Sequence, residues 1–326
     1  MQVSGGIPMK IVILDGFALN PGDLDWSPLS RFGEVTVYER TGSEEEAIQR
    51  IGNAQIVLTN KVPITAAIMD ACPSVKLICE QATGYNNIDI AAAAKRGITV
   101  CNVPSYSTDS VAQLTFALLL EICHNVGLHN QQVHNGAWCD SPDFCFWSSP
   151  LTELSGKTLG IVGLGSIGQA VARIGKAFGM RILAFSRTQR PECADLAEYV
   201  SLDQLLAQSD VVSLHCPLFP ETAGMINETS IGQMKDGAIL LNTSRGGLVN
   251  EAALAGALRS GKLRAAAVDV VSSEPMTRDN PLLTAPNCYI TPHIAWAPLE
   301  ARIRLMNTLE ENIRAWLNGA PQNVVN

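Results

Sequence analysis

The chain has 326 residues, 47% of them apolar, a length that predicts two domains rather than a single core. A formal net charge of −8 leaves no basic face for neutralising phosphates, which excludes an electrostatic nucleic-acid binder. Nine cysteines with no CxxC pair, an odd number, read as reduced thiols of a cytoplasmic protein, most of them small buried hydrophobes. At the start, MQVSGGIP has neither the basic region nor the apolar core of a signal peptide and reads as a disordered lead-in. From Met9, short β-rich runs alternate with helical segments. Strands are predicted at Ile11 to Leu14, Val35 to Tyr38, Ile56 to Leu58, Leu77 to Glu80 and Thr99 to Cys101, with helices at Glu44 to Ile51 and Ile90 to Arg96. The triple Glu44, Glu45, Glu46 is the solvated start of its helix.

Parallel strands need crossover connections, so this alternation specifies an α/β sheet covered on both faces. Near Asn102 the pattern changes to VPSYSTDS and a long apolar helix, Ser110 to about His124. Its longest apolar run, Phe116 to Leu120, is far short of the roughly eighteen residues of a membrane span. A polar, aromatic-rich stretch follows, HNGAWCDSPDFCFWSSP, and then a second series of strands: Thr158 to Val162, Arg181 to Phe185, Val211 to Leu214, Ala238 to Asn242, Ala266 to Val270 and Tyr289 to Thr291. Six strands match one complete doubly wound domain. A final helix spans about Glu300 to Leu317.

The second series opens with a strand, the turn GLGSIG and an amphipathic helix, Gln169 to Phe178. Three glycines at this spacing arise readily by chance; flanked in this way they have the context that dinucleotide binding requires. Gly163 permits the tight turn, Gly165 lets backbone approach a pyrophosphate, and Gly168 lets the helix pack on the strand. The free N–H groups of Ser166 and Ile167 at the helix start then face the anion.

The next strand ends in FSRT. An acid at this point would bond the ribose hydroxyls of NAD; Ser186 cannot repel a 2′-phosphate, Arg187 can neutralise one, and Thr188 adds a hydroxyl. NADPH is therefore favoured over NADH. The alternative, Arg187 stacking on adenine or pointing into solvent, would leave either cofactor usable.

Three ionisable residues follow later strands: Arg245 in LLNTSRGGLVNE, Glu274 in VDVVSSEP and His293 in YITPHIAWAP. Carboxyl ends of parallel strands line the ligand cleft. Singly, Arg245 reads as a turn cap, Glu274 as surface and His293 as a core histidine. Together they form a set: Arg holds a carboxylate, His passes a proton to or from a carbonyl oxygen, and Glu orients the ring. Such a set interconverts 2-oxo and 2-hydroxy acids. There is no ligand spacing for a metal.

With GLGSIGQAVAR, HCPLFPETAGMI, LLNTSRGGLVNEAAL, AAAVDVVSSEP and TPHIAW in order, the chain resembles the D-isomer-specific 2-hydroxyacid dehydrogenases over nearly its whole length. The resemblance implies two doubly wound parallel-sheet domains, a Rossmann cofactor domain (104–294) inserted into a flavodoxin-like substrate domain (9–103 plus 295–326). Closure of one on the other would exclude water from the hydride. It implies Arg245 on the substrate carboxylate and carbonyl oxygen, His293 as acid/base and Glu274 as its partner. EQATGYNNID implies backbone capture of the carboxylate at Ala82, Thr83 and Gly84. Thr108 falls on the nicotinamide side, Cys216 and Pro217 by the adenosine, Thr243 and Ser244 by the nicotinamide ribose, and Asp269 against the carboxamide. Gln113 stands where the family often has Glu, and Ser186 replaces its usual acid.

The segment from His134 to Pro150 most resembles the glycerate dehydrogenase, or hydroxypyruvate reductase, branch. Trp138, Phe144, Phe146 and Trp147 read equally as an aromatic wall for a small substrate and as part of a homodimer contact. Trp296 is the better pocket wall, with packing against the domain hinge as its alternative reading. The expected function is reduction of a small 2-oxo acid, hydroxypyruvate first, with glyoxylate or another 2-oxo acid as the alternative. A dinucleotide-sensing corepressor of the same fold would share the triad, but the expected disordered partner-binding tail is absent from this sequence. No Tyr is followed four residues later by Lys, which argues against a short-chain dehydrogenase.

Overall fold

Runs of Val, Ile and Leu make strands that are covered on both faces. Ile56–Thr59 and Leu77–Glu80 are buried at every position, and Lys10–Ile13 at all but its first. In the computed structural model, which describes residues 8–326, the chain divides into two units. One comprises the residues up to Ser107 with Ala297–Asn326, the other Thr108–Trp296. Apart from Pro8, the expected lead-in lies outside the described residues.

The first unit contains β1 (Lys10–Ile13), β2 (Glu34–Val37), β3 (Ile56–Thr59), β4 (Leu77–Glu80) and β5 (Thr99–Cys101) in the order β2-β1-β3-β4-β5, every pair parallel. This is the flavodoxin-like order. Val12, Val57, Ile78 and Val100 on one sheet face pack with Ile51, Ile68 and Ala93 from the covering helices. Those helices start where side chains satisfy their first N–H groups: Ser43, Thr65 and Asp89 each accept from the residue three further on. Glu44–Glu46 fill the first turn of Glu44–Ile51, where negative charge suits the helix dipole. The helix Leu299–Leu317 belongs to this unit; Arg302 grips Asp23 through two bonds of 2.6 Å, and Asn312 Nδ2 donates to the Asn102 carbonyl at 2.9 Å.

The second unit holds β6 (Thr158–Val162), β7 (Arg181–Phe185), β8 (Glu198–Tyr199), β9 (Val211–Leu214), β10 (Ala238–Asn242), β11 (Leu263–Val268) and β12 (Cys288–Ile290). Their order is β12-β11-β10-β9-β6-β7-β8, all parallel, so the sheet reverses direction between β6 and β9, the Rossmann switch point. The unexpected strand, β8, has two residues, too few to show a pattern in sequence. One sheet face packs with the helices Thr108–His124 and Ser166–Ala177 through Leu119, Ile161 and Val171, the other through Leu205, Val212, Leu240 and Leu254. β11 begins earlier than predicted and ends at Val268, which puts Asp269 just beyond the strand. A further helix, Val126–His134, was not legible because none of its residues is buried and it carries no apolar stripe.

All nine cysteines are free, five of them buried: Cys72, Cys79, Cys101, Cys123 and Cys193. Among the described residues no single helix is long and apolar enough to cross a membrane.

Candidate active site

The glycine turn joins β6 to the helix Ser166–Ala177, and its three glycines answer to different constraints. Gly163 has φ +100°, and a Cβ there would lie 2.7 Å from the backbone of His215 and Cys216. At Gly168 a Cβ would come within 2.1 Å of the Gly163 carbonyl oxygen, so helix and strand touch backbone to backbone. At Gly165 nothing lies within 4 Å. No protein group demands glycine there; the open space beside the first helical N–H groups, those of Ser166 and Ile167, is what an approaching pyrophosphate would fill. The turn thus fits a dinucleotide.

Ser186 and Arg187 follow β7 directly. Ser186 is half-buried, while Arg187 and Thr188 are exposed. The Arg187 guanidinium carbon lies 5.7 Å from the ring centroid of Phe219. On the neighbouring side, Cys216 is half-buried against Met225 and Pro217 is exposed. His215 directly follows β9; Ser213 Oγ lies 2.7 Å from its Nε2, and burial pushes the imidazole down to about 3. Sequence reasoning missed it, because nothing local distinguishes it from an ordinary strand-end histidine.

Beyond β10 the backbone is held in place by Asn242, whose Nδ2 donates to the Arg245 carbonyl at 2.9 Å and whose Oδ1 accepts from the Ser244 N–H at 3.1 Å. Thr243 is buried, its hydroxyl 2.9 Å from that of Thr115 in the helix Thr108–His124, whose first residue is Thr108. Arg245 is exposed, and its Nη1 donates to the Ser244 carbonyl at 2.7 Å. At Gly246 a Cβ would sit 1.9 Å from the Val271 carbonyl carbon, so the loop carrying Arg245 is pressed against the one carrying Glu274.

His293 Nδ1 lies 2.7 Å from Glu274 Oε2, and Glu274 Oε1 accepts the Val271 N–H at 3.2 Å. His293 has φ +54°, a left-handed conformation that few residues other than glycine adopt. Asp269 supports it. Its carbonyl accepts the His293 N–H at 2.8 Å. Its buried carboxylate accepts from Thr291 Oγ1 at 2.6 Å and from the Ile294 and Ala295 N–H groups at 2.9 Å. Three bonds to one carboxylate fix a strained turn, as at sites where geometry matters more than local energy. Trp296, half-buried, is the last residue of this unit.

Ala82, Thr83 and Gly84 belong to the first unit, after β4. The carbonyls of Gln81, Ala82 and Thr83 are taken by Asn60 Nδ2 at 2.8 Å, Val103 N at 3.0 Å and Asn102 Nδ2 at 2.7 Å. The N–H groups of Ala82, Thr83 and Gly84 meet no protein acceptor among the described residues. A loop with these carbonyls tied down presents its free amides as donors that an anion can accept.

The aromatic segment is separate from these groups. Trp138, Phe146 and Trp147 line an apolar groove of about 520 Å³ with Val126, Val133 and Leu151; Arg245, Glu274, His293 and Trp296 are not among its lining residues. Phe144 is 90% exposed and lies outside the groove lining too.

Residues 116–295 match the family model described as D-isomer specific 2-hydroxyacid dehydrogenase, NAD binding domain. The chain is 54% identical to a hydroxypyruvate reductase from Blautia hydrogenotrophica over 98% of its length and all of that protein. It is 39% identical to a glycerate dehydrogenase from Methylorubrum extorquens, over 97% of this chain and 98% of that one. Among solved structures, an NADPH-dependent glyoxylate/hydroxypyruvate reductase from Sinorhizobium meliloti in complex with NADP and malonate matches with TM-score 0.84 at 28% identity, covering 98% of this chain and 97% of that one. The protein therefore belongs to the D-isomer specific 2-hydroxyacid dehydrogenase family and is an oxidoreductase that uses a nicotinamide cofactor.

Proposed function

We propose that the protein reduces hydroxypyruvate to D-glycerate, with NADPH the favoured reductant and His293 the acid/base. The observation that carries this reading is the 2.7 Å contact of His293 Nδ1 with Glu274, which leaves Nε2 without a protein partner among the described residues and ready for a substrate oxygen. The high identity to a hydroxypyruvate reductase supports the choice of substrate.

A reduced nicotinamide, when bound, supplies the hydride to the carbonyl carbon. The turn that Gly163 and Gly168 shape would hold its pyrophosphate on the open backbone at Gly165 and the N–H groups of Ser166 and Ile167, with Thr108, Thr243, Ser244 and Asp269 on its nicotinamide half and Cys216 and Pro217 by its adenosine. Arg245 pairs with the substrate carboxylate and draws charge toward the carbonyl oxygen. His293 gives that oxygen its proton from Nε2, and Glu274 stabilises the cationic ring before transfer and fixes its tautomer. The free amides of Ala82, Thr83 and Gly84 hold the carboxylate as well, so their unit is the substrate domain, and Trp296 bounds the acyl group. Ser186, Arg187 and Thr188 take the 2′-phosphate, with Phe219 as the surface on which Arg187 rests.

The protein acts as a homodimer in the cytoplasm. Trp138 and Trp147, 51% and 65% exposed around an apolar groove, are the kind of aromatic anchors that a second copy buries.

Initial rates with hydroxypyruvate, glyoxylate, pyruvate and 2-oxoisocaproate, each with NADH and NADPH, test the proposal. The highest kcat/KM is expected for hydroxypyruvate with NADPH. A higher value for glyoxylate would overturn the substrate, and a higher one with NADH the cofactor preference.

A further inference from the structure

Glu80, the last residue of β4, is fully buried at the carboxyl end of a strand flanked by β3 and β5, two residues before the loop with the free amides. An ionised carboxylate is costly in such a place unless it is paired. Its Oε2 accepts from Asn87 Nδ2 at 3.0 Å, whereas its Oε1 is buried with no hydrogen-bond partner. Asn87 closes the same loop from the far side: its Nδ2 also reaches the Val62 carbonyl at 3.3 Å, and its own carbonyl accepts the Ile64 N–H at 2.8 Å. The Glu80 to Asn87 bond therefore ties the two ends of the 81–87 segment together.

We propose that Glu80 in its neutral acid form, acting through Asn87, is a positioning residue that holds Ala82–Gly84 in the shape that captures the substrate carboxylate. The proposal rests on the reading of that loop as the carboxylate holder. The groups that face Glu80 explain why the neutral form matters. Asp15, after β1, uses its carboxylate to accept from the N–H groups of Asn60, Lys61 and Val62, and it adds negative potential at Glu80. Lys61, after β3, opposes it weakly, and the neighbouring Cys79 thiol is held well above its ordinary range by burial. Burial, with Asp15 adding to it, pushes the Glu80 carboxyl up to about 9 against the Asn87 hydrogen bond. Ionisation there puts a charge beside Asp15 with only one donor to stabilise it. The loop must then open to admit water, and its amides lose their alignment.

Glu80 touches neither substrate nor cofactor, so its ionisation acts on substrate binding and not on hydride transfer. The test is the pH profile, from 7 to 10.5, of D-glycerate oxidation, or of whichever 2-hydroxy acid the wild type turns over best. Above about 9, the wild-type KM for the hydroxy acid is expected to rise by up to tenfold per pH unit, while kcat and the cofactor KM do not follow it. Glu80→Gln keeps a neutral group that accepts from Asn87 and should flatten that rise. Glu80→Ala should raise the hydroxy-acid KM throughout, and if it fails to fold the glutamine variant decides alone. A KM that climbs as steeply in Glu80→Gln as in the wild type overturns the proposal, as does an unaltered KM in folded Glu80→Ala. Gly84→Pro separates the two readings, because it deletes a loop N–H without touching Glu80. A raised KM in that variant supports the loop as carboxylate holder, and an unchanged one overturns that reading and this proposal with it.

Discussion

His293 Nδ1 and Glu274 Oε2 stand 2.7 Å apart, on a histidine whose backbone is left-handed at φ +54°. The pair fixes which ring nitrogen is engaged and leaves the other for chemistry. Glu274→Gln keeps an acceptor for the Nδ1 proton but removes the charge that stabilises the imidazolium. Its kcat for 2-oxo acid reduction should fall by roughly 10- to 100-fold, less than the roughly 10²–10⁴-fold that the general acid itself contributes, with the cofactor KM little changed. Steady-state kinetics check it; wild-type kcat would show that the carboxylate is incidental.

The glycine turn separates folding from binding. A Cβ at Gly168 would lie 2.1 Å from the Gly163 carbonyl oxygen, so Gly168→Ala should destabilise the unit by roughly 1–3 kcal/mol, as other overpacked sites do. A Cβ at Gly165 meets nothing within 4 Å, so Gly165→Ala should melt like the wild type yet bind NADPH at least about tenfold more weakly, about 1.4 kcal/mol. Thermal melts and cofactor titration read the two effects apart.

Arg187 lies two residues past the end of β7, with its guanidinium carbon 5.7 Å from the Phe219 ring centroid. Arg187→Ala should raise the Michaelis constant for NADPH by about tenfold or more, the weight of a charge-assisted contact, and leave that for NADH nearly unaltered. Equal effects on both cofactors would assign Arg187 to the adenine instead.

Glu80 also leaves a mark on stability. Its folded carboxyl titrates at about 9 against an ordinary 4.5, so the folded state binds an extra proton between those values. Stability is then fully present below about pH 4.5 and is lost as pH rises toward 9, since ionisation is easier in the unfolded chain. Glu80→Gln removes this loss. Its melting temperature should exceed that of the wild type by a margin that widens from pH 5 to pH 9 and then levels.

Much of this was legible in the sequence, for physical reasons. Strands buried on both faces must be apolar throughout, so β3, β4, β6 and β9 stood out, and the six longer strands of the second unit sufficed for its doubly wound topology. Gly163, Gly165 and Gly168 were readable because a tight turn, an open backbone and a close helix–strand contact each favour glycine at that spacing. What was not legible depends on contacts distant in sequence. The clamp by Asp269 on the turn at His293 requires β11 to end at Val268, one residue before the carboxylate. The burial of Glu80 and the lowered imidazole of His215 come from neighbouring strands and loops that no local pattern reveals. The helix Val126–His134 buries nothing, so no periodicity marked it.

The central claim is that His293 protonates the carbonyl oxygen of a 2-oxo acid as hydride reaches its carbon. Single-turnover reduction of hydroxypyruvate by NADPH-loaded His293→Gln, with cofactor affinity titrated on the same sample, tests it most directly. A rate lower by about 10²–10⁴-fold at nearly unchanged NADPH affinity is the predicted result. Hydride transfer at the wild-type rate would contradict it.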